Sequence, residues 1–167
     1  MADGFIFNLE CDELPPTAQV AALRGTEGMS KLYAFEIGLI VKDGVTIDAE
    51  KLANSVAKLT IFHKPTPAVV HGIIATVELV HSWLDQSLFR VVLVPRLWQA
   101  TLSLHSRVFV DKKAPEFVKA VLESAGLVDK QDFELKIDQE YQPHAHVTQY
   151  QESDHAFVAR WLEREGM

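Results

Sequence analysis

The chain has 167 residues, of which 48% are hydrophobic and 23% charged, an ordinary composition for a protein that buries a core. At roughly 150 residues per domain, this length allows one domain or one domain and part of a second. The net charge of -7, with no basic block longer than Lys112-Lys113, argues against binding to nucleic acid or anionic lipid.

Cys11 is the only cysteine, so an intrachain disulfide and a cysteine-based zinc site are both excluded. The N-terminal residues lack the basic start and long apolar run of a secretory signal peptide. No stretch approaches the roughly 20 apolar residues of a membrane span. We therefore expect a protein that folds in the cytoplasm, has no stable membrane anchor, and leaves the cell only by a specialised route.

The first part of the chain has the pattern of β-strands. Between Tyr33 and Val41 every second residue is large and apolar, which predicts a half-buried strand. Lys42-Asp43-Gly44 predicts a turn in which Gly44 takes a positive φ. Asp48 is placed to cap a short helix that extends to Ser55.

Three further segments before Pro95 are predicted as strands: Val56–His63, Val69–His81 and Leu88–Val94. Lys64-Pro65-Thr66-Pro67 ends the first of them, because proline cannot donate to a ladder. The polar segment Ser82–Ser87 predicts the turn of a hairpin between the other two. Short strands separated by turns favour a sandwich or a small barrel.

The two hairpin strands carry more specific expectations. Gly72 indicates a bulge or bend in the first strand. The second strand is apolar on both faces apart from Arg90, which predicts a central strand covered on both sides. Strict alternation along the first strand puts four apolar residues on one face: Ile73, Ala75, Val77 and Leu79.

After Pro95 the pattern changes. Pro95–Ser103 predicts a helical turn. Ala114–Ala125 is the clearest helix, because Pro115 suits its first turn and Gly126 the position after its end. Its apolar stripe consists of Phe117, Val118, Val121, Leu122 and Ala125.

Two short strands, Phe133–Ile137 and His146–Tyr150, and a final helix are predicted next. Ser153 is placed as the N-cap of this helix, and its stripe consists of Phe157, Val158, Trp161 and Leu162. Because the sequence stops directly after the helix, we expect a truncated second module. The prediction is a mainly β fold with an α+β extension, divided into residues 1–95 and 96–167.

No signature of an enzyme is found. The acidic surroundings of Cys11 disfavour a thiolate. Ser153-Asp154-His155 contains the residue types of a hydrolase triad, but consecutive helical residues point about 100° apart and cannot align as one. Carboxylates that could serve as general acids or bases fall in turns or caps: Asp43, Asp48, Glu50 and Asp85. We expect no catalytic residues.

His144 and His146 are the strongest candidates for metal ligands, because residues two apart on a strand share a face and His155 could approach them. No third ligand stands at motif spacing, however. The dispersed glycines form no phosphate-binding loop. The other histidines are expected as half-exposed sheet or turn residues: His63, His71, His81 and His105. We expect neither a metal site nor a cofactor.

Four stretches, in order, resemble motifs of one family. Leu23–Glu36 is similar to F-R-G-x-E-x-L-S-x-x-F-x-F-E, and His71-Gly72-Ile73-Ile74 to F/H-G-I-V. Phe89–Pro115 contains Pro95-Arg96-Leu97-Trp98 and Ser106-Arg107-Val108-Phe109, and Tyr141–Met167 contains Gln149-Tyr150-Gln151-Glu152-Ser153-Asp154. This set of motifs resembles the VgrG family. Gly28-Met29 replaces the usual Ala-Leu, and His144 stands where the family often has Arg.

The resemblance implies a function in assembly. It implies a tube-like β-barrel related to Hcp and phage tail-tube subunits, followed by a second hub module. It also implies a homotrimer that links an Hcp-like tube to a puncturing tip, with the needle domain of its own chain and effectors as further partners. The protein would assemble in the cytoplasm and be injected by a type VI secretion machine. A phage or prophage baseplate hub of the late control protein D type remains the main alternative, and an effector or hydrolase domain a lesser one.

Overall fold

The computed structural model describes residues 6–42, 44–62, 66–137 and 139–167. Asp43, His63 and Lys64-Pro65, which the sequence assigns to turns and a strand end, lie outside the described residues. The chain divides into two compact units, unit 1 over residues 1–95 and unit 2 over residues 96–167. Each unit has its own hydrophobic core.

Unit 1 is a six-stranded antiparallel sheet with one short helix. The strands are ordered β1-β4-β5-β6-β3-β2 across the sheet. Their bounds are β1 Ile6–Glu10, β2 Gln19–Thr26, β3 Ala34–Lys42, β4 Val56–Phe62, β5 Ala68–Ser82 and β6 Gln86–Val94. The helix α1, Ala49–Leu52, follows β3.

The sheet of unit 1 curls until its two edge strands approach each other. Cα atoms of β1 and β2 come within 8 Å, although the described residues of these strands form no ladder together. The interior is filled by buried side chains, as in other small barrels: Phe35, Ile37, Leu39, Val41, Leu59, Ile74, Phe89, Val91 and Leu93. Unit 1 is therefore a nearly closed barrel, which confirms the predicted β-barrel.

The period-two pattern is borne out along β3, where every second residue from Phe35 to Val41 is buried. The strand β6 is central, between β5 and β3, as predicted. Its second face is not covered, however. Arg90 is exposed and Val92 is half-buried, so the prediction of cover on both sides was wrong.

Strict alternation along β5 was also wrong. Register shifts interrupt its pairing with β6 between Ile74 and Thr76 and again between Leu79 and His81. Because each bulge adds one residue, it moves the following side chains to the opposite face. Ile74 and Val77 therefore both contact the barrel core, although strict alternation would put them on opposite faces.

Gly72 does not form the predicted bulge but allows a close backbone approach. A Cβ atom at this position would lie 2.3 Å from the carbonyl oxygen of Val94 on β6 and 3.1 Å from the hydroxyl of Tyr33. That hydroxyl donates a hydrogen bond to the carbonyl of His71. Only glycine fits here without displacing a neighbouring strand.

The predicted positive φ of Gly44 and the predicted cap by Asp48 are confirmed. Gly44 has a φ of 65°, the left-handed conformation that glycine adopts without strain. The Asp48 carboxylate accepts a hydrogen bond from the backbone N–H of Lys51 at 3.2 Å and so caps α1. Leu52 is fully buried and anchors the helix to the barrel core.

Unit 2 consists of a two-stranded ribbon and helices. A 3₁₀ helix at Arg96–Thr101 matches the predicted helical turn. The other elements are β7 (Leu104–Lys112), α2 (Ala114–Ser124), β8 (His144–Ser153) and α3 (Asp154–Glu165), with β7 and β8 antiparallel. No helix among the described residues is long and apolar enough to span a bilayer.

Both helices of unit 2 begin and end as predicted. Pro115 lies in the first turn of α2, and the Glu116 carboxylate accepts from the Lys113 N–H at 2.8 Å. The Ser153 hydroxyl caps α3, and Gly166 ends it with a φ of 69°. The two stripes and the ribbon share one core, whose members include Phe117, Val121, Leu122, Val147, Phe157 and Trp161.

Three strands are not found by the sequence pattern, and one predicted strand is wrong. β1, β2 and β7 were not predicted individually. Phe133–Ile137 was predicted as a strand, but only Phe133 forms an isolated bridge, with Asp129. Its alternation has a simpler cause, because Phe133 and Leu135 pack against the core of unit 2 without a strand partner.

Candidate functional site

Asp154, the first residue of α3, is the one charged residue that is buried in the described part of the chain. Its Oδ1 atom lies 3.0 Å from Nδ1 of His105 and accepts a hydrogen bond from Nε2 of Gln149 at 2.8 Å. Its Oδ2 atom accepts from Nη2 of Arg107 at 3.2 Å. A buried carboxylate is thus surrounded by donors from both strands of the ribbon.

This arrangement is suited to holding structure in place. His105 and Arg107 lie on β7 and Gln149 on β8, so Asp154 fastens the start of α3 to both strands. A negative charge in the first turn is also favoured by the helix dipole. Hydrogen bonds of this kind, in which one partner is charged, are among the stronger ones in proteins.

The sequence Ser153-Asp154-His155 does not converge as a triad. The hydroxyl of Ser153 accepts from the Ala156 N–H at 3.1 Å, which is the expected helix cap. Asp154 contacts His105, 49 residues earlier in the chain, as its imidazole partner. Ser153 and Asp154 therefore each stabilise the start of α3, and they do not form a nucleophile and base pair with His155.

The structure does not combine His144 and His146 into a metal centre. Nε2 of His144 lies 3.3 Å from Oε1 of Glu165, without hydrogen-bond alignment, and its ring packs edge-on against Trp161 at 4.9 Å. His146 is exposed on β8. Across the described ranges, no three His, Cys, Asp or Glu side chains are grouped to hold a metal ion.

The remaining candidates are separate from one another. His71 and His81 are exposed on β5, and Glu50 and Asp85 lie in α1 and a turn. The hydrogen bond from the Lys51 backbone N–H lowers the pKa of Asp48, as expected for a cap. The half-buried thiol of Cys11 lies 3.1 Å from the Ser55 hydroxyl.

A surface feature that the sequence did not reveal is the end of the β5–β6 hairpin. Four large apolar side chains are exposed there: Leu79, Val80, Trp83 and Leu84. The imidazole of His81 packs edge-on against Trp83, with ring centroids 4.4 Å apart, and so restricts its orientation. The signal available in the sequence was the pair Trp83-Leu84 inside a segment that was treated as a polar turn.

The hairpin is also nearly neutral in an acidic chain. Nε of Arg90 donates to Oε2 of Glu78 across the two strands at 3.0 Å. This hydrogen bond from the guanidinium to the carboxylate raises the pKa of Arg90. Asp85, at the turn, is the remaining carboxylate of the segment Ala75–Ser87.

Comparison with known proteins identifies the family. The family model described as phage tail baseplate hub (GPD) matches residues 26–167. The type VI secretion system spike protein VgrG5 of Pseudomonas aeruginosa is 32% identical over 162 residues, which are 96% of this chain and 20% of that protein. VgrG1b of the same bacterium is 27% identical over 89% of this chain and 20% of its own length. The chain thus spans about a fifth of these curated relatives.

Two solved structures share the fold. The E. coli c3393 protein, a type VI secretion component described as similar to the T4 tail proteins gp27 and gp5, matches with a TM-score of 0.82 and 24% identity, over 93% of this chain and 42% of that one. The 43 kDa tail protein of prophage MuSo2 from Shewanella oneidensis matches with a TM-score of 0.59 and 14% identity, over 96% of this chain and 48% of that one.

These matches extend over both units described above. The family model begins in β2 and continues through the barrel and all of unit 2. The resemblance to VgrG proteins seen in the sequence motifs is confirmed by relatives that align over most of the chain. The chain belongs to the phage tail baseplate hub (GPD) family.

Proposed function

We propose that this chain is the hub region of a type VI secretion spike, that it forms a homotrimer, and that it has no catalytic activity of its own. The observation that carries the proposal is the likeness to a spike protein over 96% of the chain, which includes both units. The sequence motifs of the resemblance contain core, cap and turn residues, among them Phe109, Ser153 and Gly166. Residues of these kinds stabilise a fold, and they do not indicate a reaction.

In this proposal the barrel of unit 1 is a tube-like domain that stacks on a ring of an Hcp-like tube protein. Three copies, each contributing a repeated heterologous contact, adapt the tube to a threefold puncturing tip. Unit 2 is then the start of a second hub module. The needle domain of the same chain and any effectors would follow it, and the machine would carry the assembled spike from the cytoplasm out of the cell.

The absence of enzymatic activity is supported by the tasks of the buried polar groups. Asp154 is fully engaged by His105, Arg107 and Gln149, and Ser153 by a helix cap. An assay of the isolated chain on peptidoglycan, nucleic acid and lipid tests this part. Turnover of any of these substrates, retained through repurification, would contradict it.

The test of the hub itself uses the full-length protein and its host. Deletion of the gene is expected to stop release of the Hcp-like tube protein into the medium, and a plasmid copy is expected to restore it. Light scattering of the purified full-length protein should give the mass of a trimer. Unchanged release after deletion, or a monomer at micromolar concentration, would refute the proposal.

A second candidate is the hub of a phage or prophage baseplate. It is favoured by the family description itself and by the fold shared with a prophage tail protein. The two readings differ in the particle that contains the protein. If the second hypothesis is correct, particles released after induction of the host with a DNA-damaging agent should contain the protein in their tails. Deletion of the gene should then leave the release of the tube protein unchanged.

A further inference from the structure

Among the described residues, no strand pairs with the outer edge of the β5–β6 hairpin beside its exposed apolar end. We infer that this edge, Ala75–Ser82, together with Trp83 and Leu84, is the surface on which a second copy of the chain docks. The inference rests on the proposed trimeric hub and names the contact that such a trimer would use. It has three supports, which are the main chain, the apolar side chains and the local charge.

The main-chain support comes from the unequal lengths of neighbouring strands. The pairing of β5 with β4 ends at the pair Val56–Ile73. Beyond it, the backbone of Ile74 is still bonded, to Ser55 and Asn54. From Ala75 to Ser82 the described residues provide a ladder on the β6 side alone. The outer edge of this segment therefore offers N–H and C=O groups that a strand of another chain can pair with.

The side-chain support comes from the apolar residues at the same end. Leu84 is fully exposed, and Leu79, Val80 and Trp83 are each about half exposed. Together they expose apolar area on the order of several hundred Å², which is the size of patch that marks an interface on a soluble protein. The contact with His81 restricts the Trp83 ring in advance, so less conformational entropy is lost when the ring enters a partner's pocket.

The local charge favours another copy of the same chain as the partner. The whole chain carries a net charge of -7, so most of its surfaces would repel each other when identical copies approach. On the hairpin, Glu78 is paired with Arg90, and Asp85 alone is left without a cation in the same segment. Two acidic copies of the chain can therefore approach each other at this surface with little electrostatic repulsion.

The test introduces negative charge on the hairpin surface and compares the self-association of this variant with that of a variant that carries the same charge elsewhere. The hairpin variant is Trp83→Glu with Leu84→Glu. The matched control is Met29→Glu with Val128→Glu, which places two new carboxylates on apolar side chains that are also exposed. Sedimentation velocity of the 167-residue chain from micromolar to millimolar concentration is expected to show self-association that the hairpin variant weakens about tenfold or more, as for central interface residues. The control should associate like the wild type.

Amide hydrogen exchange separates strand pairing from side-chain contact alone. In the wild type, amides of Ala75–Ser82 should exchange more slowly at high protein concentration than at low concentration. In the hairpin variant, their exchange rates should not depend on protein concentration. Circular dichroism checks that both variants keep the fold. Equal association of the hairpin variant and the wild type, equal weakening by both variants, or a wild-type chain that stays monomeric would overturn the inference. If the full-length protein with the hairpin changes still forms a trimer, the inference fails while the proposed hub stands.

Discussion

Units 1 and 2 bury their cores by different means. In the barrel, aliphatic residues of many strands point inward, and main-chain ladders between distant segments hold the register. In unit 2, a two-stranded ribbon is covered by α2 and α3, and the core is an aromatic cluster of Phe109, Phe117, Phe157 and Trp161. A ribbon of two strands is marginal by itself, so unit 2 depends on its helices.

This difference indicates where each unit is most sensitive. In the barrel the weak points are places where strands approach closely, because one extra atom there disturbs a ladder. In unit 2 they are the ring cluster and the buried Asp154, which fastens α3 to the ribbon. Changes at these places test whether the two units respond separately.

The largest effect is expected for Phe117→Ala. Phe117 is buried and packs against Phe157 and Trp161, with ring centroids 5.8 and 4.8 Å away. Truncation leaves a cavity between three elements and should lower the free energy of unfolding of unit 2 by about 3–5 kcal/mol. Denaturant titration followed by residue-resolved amide exchange measures the loss in α2 and α3.

The barrel counterpart is Leu59→Ala, at a fully buried position of β4. It should cost about 2–5 kcal/mol and affect the amides of unit 1 instead. If Phe117→Ala reduces protection in β3 and β6 as strongly as in α3, the two units unfold together and the contrast between them is wrong.

The strand β3 and the helices α2 and α3 could be predicted from the sequence because their patterns are local. Alternation over Tyr33–Val41 and the stripe of Ala114–Ala125 need only neighbouring residues, and caps such as Ser153 act within one turn. The strand β7 was missed because Val108 and Val110 are apolar but exposed, which hides the alternation. The bulges of β5 depend on the partner strand, so sequence period alone could not place them.

The second effect is the loss of the buried carboxylate in Asp154→Ala. Three donors lose their acceptor, two of them on side chains that can carry charge. We expect unit 2 to lose about 1.5–3 kcal/mol, the range for hydrogen bonds to charged groups. Asp154→Asn, which keeps the shape, should lie between this variant and the wild type.

Glu163→Ala removes the same charge from an exposed position of α3 and serves as the control, with an expected change within about 0.5 kcal/mol. Equal effects of the two substitutions would mean that net charge matters and that the network does not. The network itself was beyond the sequence, because His105 and Arg107 are 49 and 47 residues from Asp154 and no local pattern connects them.

The third effect, in the barrel, is Gly72→Ala. The new methyl group would lie 2.3 Å from the carbonyl oxygen of Val94, so β5 and β6 must separate locally. The expected loss is about 1–3 kcal/mol, typical of overpacking. Gly28→Ala is the control, because the nearest atom, Cδ of Lys31, lies at 3.5 Å. Faster amide exchange near the pair Ile73–Val94 would locate the disturbance. If Gly72→Ala leaves the free energy of unfolding unchanged, the barrel accommodates the added methyl group and the prediction is wrong.

The smallest effect is a pH dependence in the barrel from Tyr33. Burial raises the pKa of Tyr33 above its ordinary value of 10.0, so the folded state holds the phenol proton more tightly than the unfolded state does. The stability that depends on this proton is fully present below about pH 10 and falls as the pH rises above it, because the unfolded chain then ionises first.

The difference between ultraviolet titrations of the wild type and Tyr33→Phe should isolate a phenol with a midpoint above 10.0. Tyr33→Phe also removes the hydrogen bond to the carbonyl of His71, so it should lower barrel stability at neutral pH while flattening its alkaline slope. A midpoint at or below the ordinary value would mean that the phenol reaches water freely and that the contact between Tyr33 and β5 opens in solution.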